Sequence, residues 1–335
     1  MKKPSPEAVW RMADEDLSNL LREETFAFGS RKITFFAPSF MYYKTAYSCS
    51  SATDFPTVSV TGSYCALNCA HCGGTVLKTM YPATTPEKLL ETCRKLKLRG
   101  ALGCLISGGC LPNGSVPLAS FIDAIERVKQ DTGLMVVVHT GLIDFETAKA
   151  LRESGVDTAL IDVIGSDDTI REVYRMNATV QDYARSLDAL NEAKLDFVPH
   201  VIVGLDHGRL SGELYALKMV SQHRPSALVI IAFMPIRGTQ MQNVEPPKPL
   251  DIARVILTAR LMFKRRPVVL GCMRPKGNHR KETDLLAIRA GVDAVAFPAE
   301  EAIDYATKNG YAVSFSSSCC SQVYLEAENM FGNAT

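Results

Sequence analysis

The sequence predicts an α/β protein: a (β/α)8 TIM-type barrel with an N-terminal helical extension and a C-terminal tail. Three observations predict it. Eight short β-branched apolar runs alternate with eight longer amphipathic segments, as repeated strand and helix units around a parallel sheet do. The alternation fills about 250 residues, the size of one such barrel. No internal repeat, low-complexity tract or linker divides it. A doubly wound open sheet gives the same alternation and is the competing architecture.

The elements follow in order. Residues 1–56 form the extension, with a helix-like stretch from Glu7 to Glu24. The barrel spans residues 57–309. Thr57 to Thr61 is its first strand, and Pro86 to Leu98 its first helix, started by Thr85 as cap and a proline at the first position, where no amide donor is needed. The apolar run Ala101 to Ser107 leads to the amphipathic Leu118 to Asp131, and Leu134 to Thr140 to Phe145 to Ser154. Thr158 to Ile164 precedes Val180 to Lys194, and Phe197 to Gly204 precedes Gly212 to Gln222. Ala227 to Phe233 pairs with Leu250 to Lys264, Val268 to Gly271 with Lys281 to Ala290, and Ala294 to Phe297 with Glu300 to Asn309. Residues 310–335 are a tail expected to cover the barrel mouth.

Of 335 residues, 47% are apolar and 22% charged, which excludes a disordered or fibrous chain. Lys and Arg number 37 against 36 Asp and Glu, so the basic excess of a phosphate-backbone binder is missing and no nucleic-acid partner is expected. Met1 to Asp16 has no apolar run to serve as a signal core, and runs such as Leu134 to Val138 are too short to cross a bilayer. A cytoplasmic protein without membrane contact is expected. In that reducing compartment, ten cysteines point to metal binding or catalysis before disulfides.

Three of them, Cys65, Cys69 and Cys72, form a CxxxCxxC loop directly after the first strand, on the face where barrels carry their chemistry. Three thiolates on one loop hold three irons of a 4Fe-4S cube and leave the fourth open to a small molecule. A structural zinc site is the alternative, but it wants four closed ligands, and His71, between two of the cysteines, is poorly placed to be the fourth.

This loop resembles the signature of the radical S-adenosylmethionine superfamily. The resemblance implies that the open iron binds the methionine end of S-adenosylmethionine, whose reductive cleavage yields a 5′-deoxyadenosyl radical that takes hydrogen from unactivated carbon. It also implies cofactor contacts. His71 holds the place of an aromatic residue that stacks near the adenine. Ser107, Gly108 and Gly109 close the second strand, where the superfamily's glycine pair admits the methionine amine. Val203 and Gly204 open VGLDHG, similar to a turn of the biotin synthase subgroup, and Met234 to Thr239, MPIRGT, is similar to that subgroup's PxxGT segment.

Other strand ends carry His139, Thr140, Asp162 and His200. Asp162 is the candidate ribose or substrate contact; lone barrel histidines are more often hydrogen-bonded core groups. Arg175 is a candidate partner for the cofactor carboxylate, with Arg185 competing, because a guanidinium matches a carboxylate in a fork. Cys93 and Cys104 read as small core hydrophobes, and Cys110 lies near the catalytic face. Cys49, Cys272, Cys319 and Cys320 are candidate ligands of a second, auxiliary iron-sulfur cluster, since adjacent cysteines flanked by serines make an improbable core segment.

The chain looks like a biotin synthase homologue, and GCMRPKGNHR (Gly271 to Arg280) with the terminal SSSCC is most similar to the archaeal-type two-component lipoyl synthases. That similarity implies sulfur insertion into an octanoyl chain on the lysine of a lipoyl-carrier protein, a homologous radical S-adenosylmethionine partner subunit, and a reductant such as ferredoxin. The bacterial lipoyl synthase motif CxxxxCxxxxxC does not occur, so that group's auxiliary ligands do not transfer. A small-molecule enzyme resembling a hydrogenase maturase or methylornithine synthase is the nearest alternative, and a non-catalytic iron-sulfur subunit is another. Lys264, Arg265, Arg266, Arg274, Lys276, Arg280 and Lys281 form a basic concentration expected to be a solvated face and, in part, a dock for an acidic carrier.

Overall fold

The computed structural model describes residues 3–23, 31–39, 42–50 and 53–325. Glu24, the end of the expected N-terminal helix, and the tail beyond Leu325 lie outside them.

Most strands form where apolar runs are buried on both faces, Tyr81–Pro82 and Ala312–Ser316 being the exposed exceptions. The strands are β1 (Lys32–Phe36), β2 (Thr57–Ser59), β3 (Tyr81–Pro82), β4 (Gly103–Ser107), β5 (Met135–His139), β6 (Thr158–Asp162), β7 (Phe197–Val203), β8 (Leu228–Ala232), β9 (Val268–Leu270), β10 (Ala294–Ala296) and β11 (Ala312–Ser316). The helices are α1 (Pro6–Arg11), α2 (Asp14–Arg22), α3 (Pro86–Leu98), α4 (Ile122–Thr132), α5 (Phe145–Glu153), α6 (Asp167–Thr169), α7 (Val180–Ala193), α8 (Glu213–Ser221), α9 (Pro249–Met262), α10 (Asn278–Arg289) and α11 (Glu300–Lys308). Helix α3 starts as expected, with Thr85 Oγ1 accepting from the amide of Lys88 at 3.3 Å.

The eight expected strand and helix pairs all form, and every strand pairing is parallel, in the order β11-β1-β10-β9-β8-β7-β6-β5-β4-β2-β3. Sequential order is the winding of a barrel, and it excludes the doubly wound alternative, whose order reverses at a switch point. The sheet curls as a half-barrel. Its seam differs from a closed barrel: β1 takes the free edge of β10, β11 pairs with β1, and among the described residues no ladder joins β11 to β2 or β3.

The expected helix from Glu7 is two helices, broken at Met12 and Ala13, both extended. Buried Arg254 of α9 explains the break. Its guanidinium donates to the carbonyls of Val9 (3.1 Å), Trp10 (3.3 Å) and Met12 (2.6 Å) and to Asp14 Oδ1 (2.6 Å), satisfying carbonyls that a continuous helix would have used.

Two apolar layers position the site. One lies between sheet and helices and includes Val58, Ile106, Val138, Ile161 and Val203. The other fills the concave face with Phe36, Val137, Leu160, Val198, Val229 and Val269. The segment after β11 enters this second layer: Cys320, Val323 and Tyr324 are buried in it. Tyr324 Oη meets Thr158 Oγ1 at 2.7 Å and donates to the carbonyl of Asp157 at 3.3 Å, so the segment reaches down to the start of β6. No helix among the described residues is long and apolar enough to cross a membrane.

Candidate functional site

The CxxxCxxC loop leaves the C-terminal end of β2 and is fixed by backbone bonds. Ala66 N donates to Cys110 O (2.9 Å), Ala70 N to Val173 O (2.8 Å), and Gly73 N to Cys69 O (2.8 Å). Thr61 Oγ1 accepts from Gly109 N at 2.7 Å and donates to Tyr64 O at 2.8 Å, so the loop is clipped to the end of β4. Gly109 is a glycine because a Cβ there would lie 2.0 Å from Tyr64 O and 2.6 Å from Cys65 Cα. Gly108 is less confined, at 3.1 Å from the Thr61 side chain.

The thiols are poised unequally. A hydrogen bond from Cys110, helped by the amides of Leu67 and Asn68, brings Cys65 down to about 5. A hydrogen bond from Cys69, with His71 assisting against burial, brings Cys72 down to about 4. Donation to those partners and burial push Cys69 and Cys110 upward. Ligand atoms of Cys69, His71 and Cys72 lie within 4.8 Å of one another. The His71 ring packs on Tyr174, 5.1 Å between centroids, and its Nδ1 is buried without a hydrogen-bond partner. Cys110 was legible only as a cysteine near the catalytic face; its contact with Cys65 needs the fold.

Above the apolar layer of the concave face lies a polar one. His139, Asp162 and His200 end β5, β6 and lie on β7, each two residues beyond an inward apolar side chain, Val137, Leu160 and Val198. Asp162 and His200 are direct register partners. Burial resists ionisation of Asp162, but His139 outweighs it and holds the carboxyl below its usual range. Burial, helped by the charge of His139 and opposed by that of Asp162, takes His200 down to about 4. Thr140 is buried and donates to Gly141 O at 2.8 Å.

Cys272 and Cys319, which follow β9 and β11, both pack against the concave apolar layer near one another. Burial and the nearby Cys319 raise Cys272 to about 11, and a hydrogen bond from Cys320 lowers Cys319 to about 7. The charge of Cys319 is felt at His139. Cys320 is buried in the concave apolar layer. Cys49 is exposed, its Sγ 3.6 Å from Ser50 O, and no described contact joins it to Cys272 or Cys319. Cys93 and Cys104 are fully buried core residues.

The other sequence candidates are scattered along the same rim. Ser107 Oγ donates to His139 O at 3.2 Å. Val203 is buried on the helix side. Gly204, with φ +73°, packs on Pro247, and its amide donates to Glu213 Oε1 at 2.9 Å. Arg175 is exposed and bonds the Gln240 side chain. Arg185 pairs with Asp182 and lines a cavity of about 710 Å³ with Leu118, Thr140 and Phe145, a lining that includes none of the loop cysteines.

The basic concentration is not one face. Lys264 to Arg266 precede β9 and Arg274 to Lys281 follow it, so the strand separates them. Arg274 is 0% exposed: it forks onto Asp284 (Nε–Oδ1 2.7 Å, Nη2–Oδ2 2.9 Å) and donates to Gly271 O at 2.6 Å. Charge along the sequence misplaced it because its counter-ion comes from the next helix.

Residues 59–208 match the radical SAM superfamily. The chain is 25% identical over 250 residues to the biotin synthase of Hyphomonas neptunium, covering 71% of this chain and 75% of that protein. It is also 25% identical over 195 residues to the biotin synthase of Leptospira biflexa, covering 55% of this chain and 53% of that one, so it spans about half of that relative's length. Among solved structures, methylornithine synthase aligns with a TM-score of 0.57 at 17% identity, over 87% of this chain and 85% of that one. A maturase of the FeFe-hydrogenase aligns with a TM-score of 0.64 at 16% identity, over 98% and 75%. At these identities the structural likeness is one of fold.

Proposed function

We propose that the chain is a radical SAM, biotin synthase-like enzyme that inserts sulfur into unactivated C–H bonds of an octanoyl chain borne by a lipoyl-carrier protein. The observation that carries the sulfur reading is the proximity of Cys272 to Cys319, close enough for the charge of Cys319 to raise the Cys272 thiol. Two segments remote in sequence bring soft ligands to the end of the sheet that also bears the CxxxCxxC loop.

The cofactors of the superfamily are a 4Fe-4S cluster and S-adenosylmethionine, and the residues fit them. The loop offers thiolates, the ligand such a cluster takes, and Cys65 and Cys72 are held below the ordinary thiol range before any metal arrives. When bound, the pair supplies a 5′-deoxyadenosyl radical. Cys65, Cys69 and Cys72 would hold the iron. The backbone of Ser107 to Gly109 and of Val203 to Gly204, with the Arg175 guanidinium, are the groups we assign to S-adenosylmethionine. The apolar layer beneath, sealed by Val323 and Tyr324, keeps water from the concave face. Cys272 and Cys319 are the ligands we assign to an auxiliary cluster that yields the sulfur; Cys320 supports Cys319, and Cys49 stands apart. A reductant is required. The homologous partner subunit and ferredoxin remain part of the proposal.

A second reading, a small-molecule substrate, draws on the divided basic residues: with Arg274 buried, no continuous cationic face is offered to an acidic carrier. One experiment separates the readings. Anaerobically reconstituted protein is given S-adenosylmethionine, reductant and octanoyl-lysyl carrier, with and without a homologous partner subunit. Sulfur incorporation into the carrier supports the proposal. Cleavage of S-adenosylmethionine without it supports the small-molecule reading, and no cleavage at all supports a non-catalytic subunit.

A further inference from the structure

We propose that His139, Asp162 and His200 bind one divalent transition-metal ion, of the class that zinc represents, at a site distinct from both sets of cysteines. The three side chains come from adjacent strands and share the concave face, where strand geometry fixes them more firmly than loops would. A ring nitrogen of each histidine and a carboxylate oxygen lie within 4.8 Å of one another.

The spacing points to a shared ion. His139 Nε2 and Asp162 Oδ1 are 3.4 Å apart. That is long for a charge-assisted hydrogen bond, which sits at about 2.7–2.9 Å. Two ligands at about 2.0–2.1 Å from one tetrahedral ion stand about 3.3–3.4 Å apart. His200 Nδ1 is buried and has no hydrogen-bond partner, so at least one donor of the group is left unpaired by the protein. The donor set, two imidazoles and a carboxylate, suits zinc, iron(II) or cobalt(II) better than calcium or magnesium. Three protein ligands also leave a position for a substrate atom, as open zinc sites do. The role differs from the ribose contact that the sequence suggests for Asp162, and it does not depend on which substrate the enzyme takes.

The test uses the full chain with its CxxxCxxC cluster reconstituted, dialysed against Zn2+, with metal counting and zinc K-edge absorption as readouts. The expected result is one zinc per chain in a shell of nitrogen and oxygen at about 2.0–2.1 Å. Binding should weaken at least a hundredfold in the double variant His139→Ala with His200→Ala. It should persist when Cys272 and Cys319 are both changed to alanine. Asp162→Asn, which keeps shape and removes charge, should weaken binding at least tenfold, so the proposal stays testable should the double variant misfold. Three results would overturn it: no zinc retained by the folded wild type, a sulfur shell at about 2.3 Å, or undiminished binding by Asp162→Asn.

Discussion

Gly109→Ala isolates what the glycine pair after β4 does. Neither Gly108 nor Gly109 has positive φ, so alanine adds no backbone strain at either position and the effect is purely steric. At Gly109 the new Cβ would stand 2.0 Å from Tyr64 O and 2.6 Å from Cys65 Cα. Those are backbone atoms, and no rotamer relieves the overlap. Reaching even a tight separation of about 3.0 Å requires the cysteine loop to retreat by about 1 Å, against an interior packed too closely to yield. Overpacking of that kind costs about 1–3 kcal/mol, and a misplacement of about 1 Å costs about a hundredfold in rate. Iron per chain should therefore fall in Gly109→Ala, with cleavage of S-adenosylmethionine down about a hundredfold. Gly108→Ala, whose Cβ would meet only side-chain atoms at 3.1–3.2 Å, should lose a few-fold at most. The assays are iron counting after anaerobic reconstitution and 5′-deoxyadenosine release. A Gly109→Ala protein with full iron and only a raised KM for S-adenosylmethionine would refute the steric argument and leave admission of the cofactor as the glycine's one role.

Other expectations follow from the same geometry. Arg274→Met leaves Asp284 as an uncompensated buried charge, at a cost of about 3–5 kcal/mol; at ~2.1 cal/mol/K per residue, 335 residues give about 0.7 kcal/mol/K, so Tm should drop by about 4–7 °C in a calorimetric scan. A drop under about 1 °C would mean that the pair is hydrated. Burial pushes the Glu213 carboxyl up to about 6 from 4.5, so the folded chain binds that proton more tightly than the unfolded one. The stability it confers is complete below 4.5 and is lost as pH rises through 6, about 2 kcal/mol in all. Urea melts at pH 4.5 and 7 should show that loss in the wild type and not in Glu213→Gln. Changing Cys272 and Cys319 together to alanine should take iron from about eight to about four per chain if each cluster is a cube, while Cys49→Ala should leave it unchanged; iron retention in the double variant would remove the auxiliary site.

The eight strand and helix pairs were legible because burial on both faces of a strand leaves an unbroken apolar run, and amphipathic helices announce their own period. The cysteine loop was legible because its three cysteines fit within eight residues of chain. What escaped depends on partners remote in sequence. β11 carries little burial, so no apolar pattern marks it. β1 lies in the extension, and only its pairing with β10 gives it a place in the sheet. Arg274 reads as part of a basic run until Asp284 arrives from α10 to bury it. The steric need for a glycine at 109 likewise appears only when the cysteine loop is seen resting on it.

The concave face shows the same limit from another side. Val137 and His139, Leu160 and Asp162, Val198 and His200 are each two residues apart, so each pair shares a face by strand period alone. Period cannot say that the three steps from apolar to polar occur at one height. That needs the registers, which set Asp162 opposite His200 and His139 opposite Leu160. Once aligned, the three pairs divide the concave face into an apolar lower layer, closed by Val323 and Tyr324, and a polar upper layer that lies near Cys319 and His71. On the proposed reading, the apolar floor keeps water from the concave face, and the polar rim is where a substrate's head group would be held.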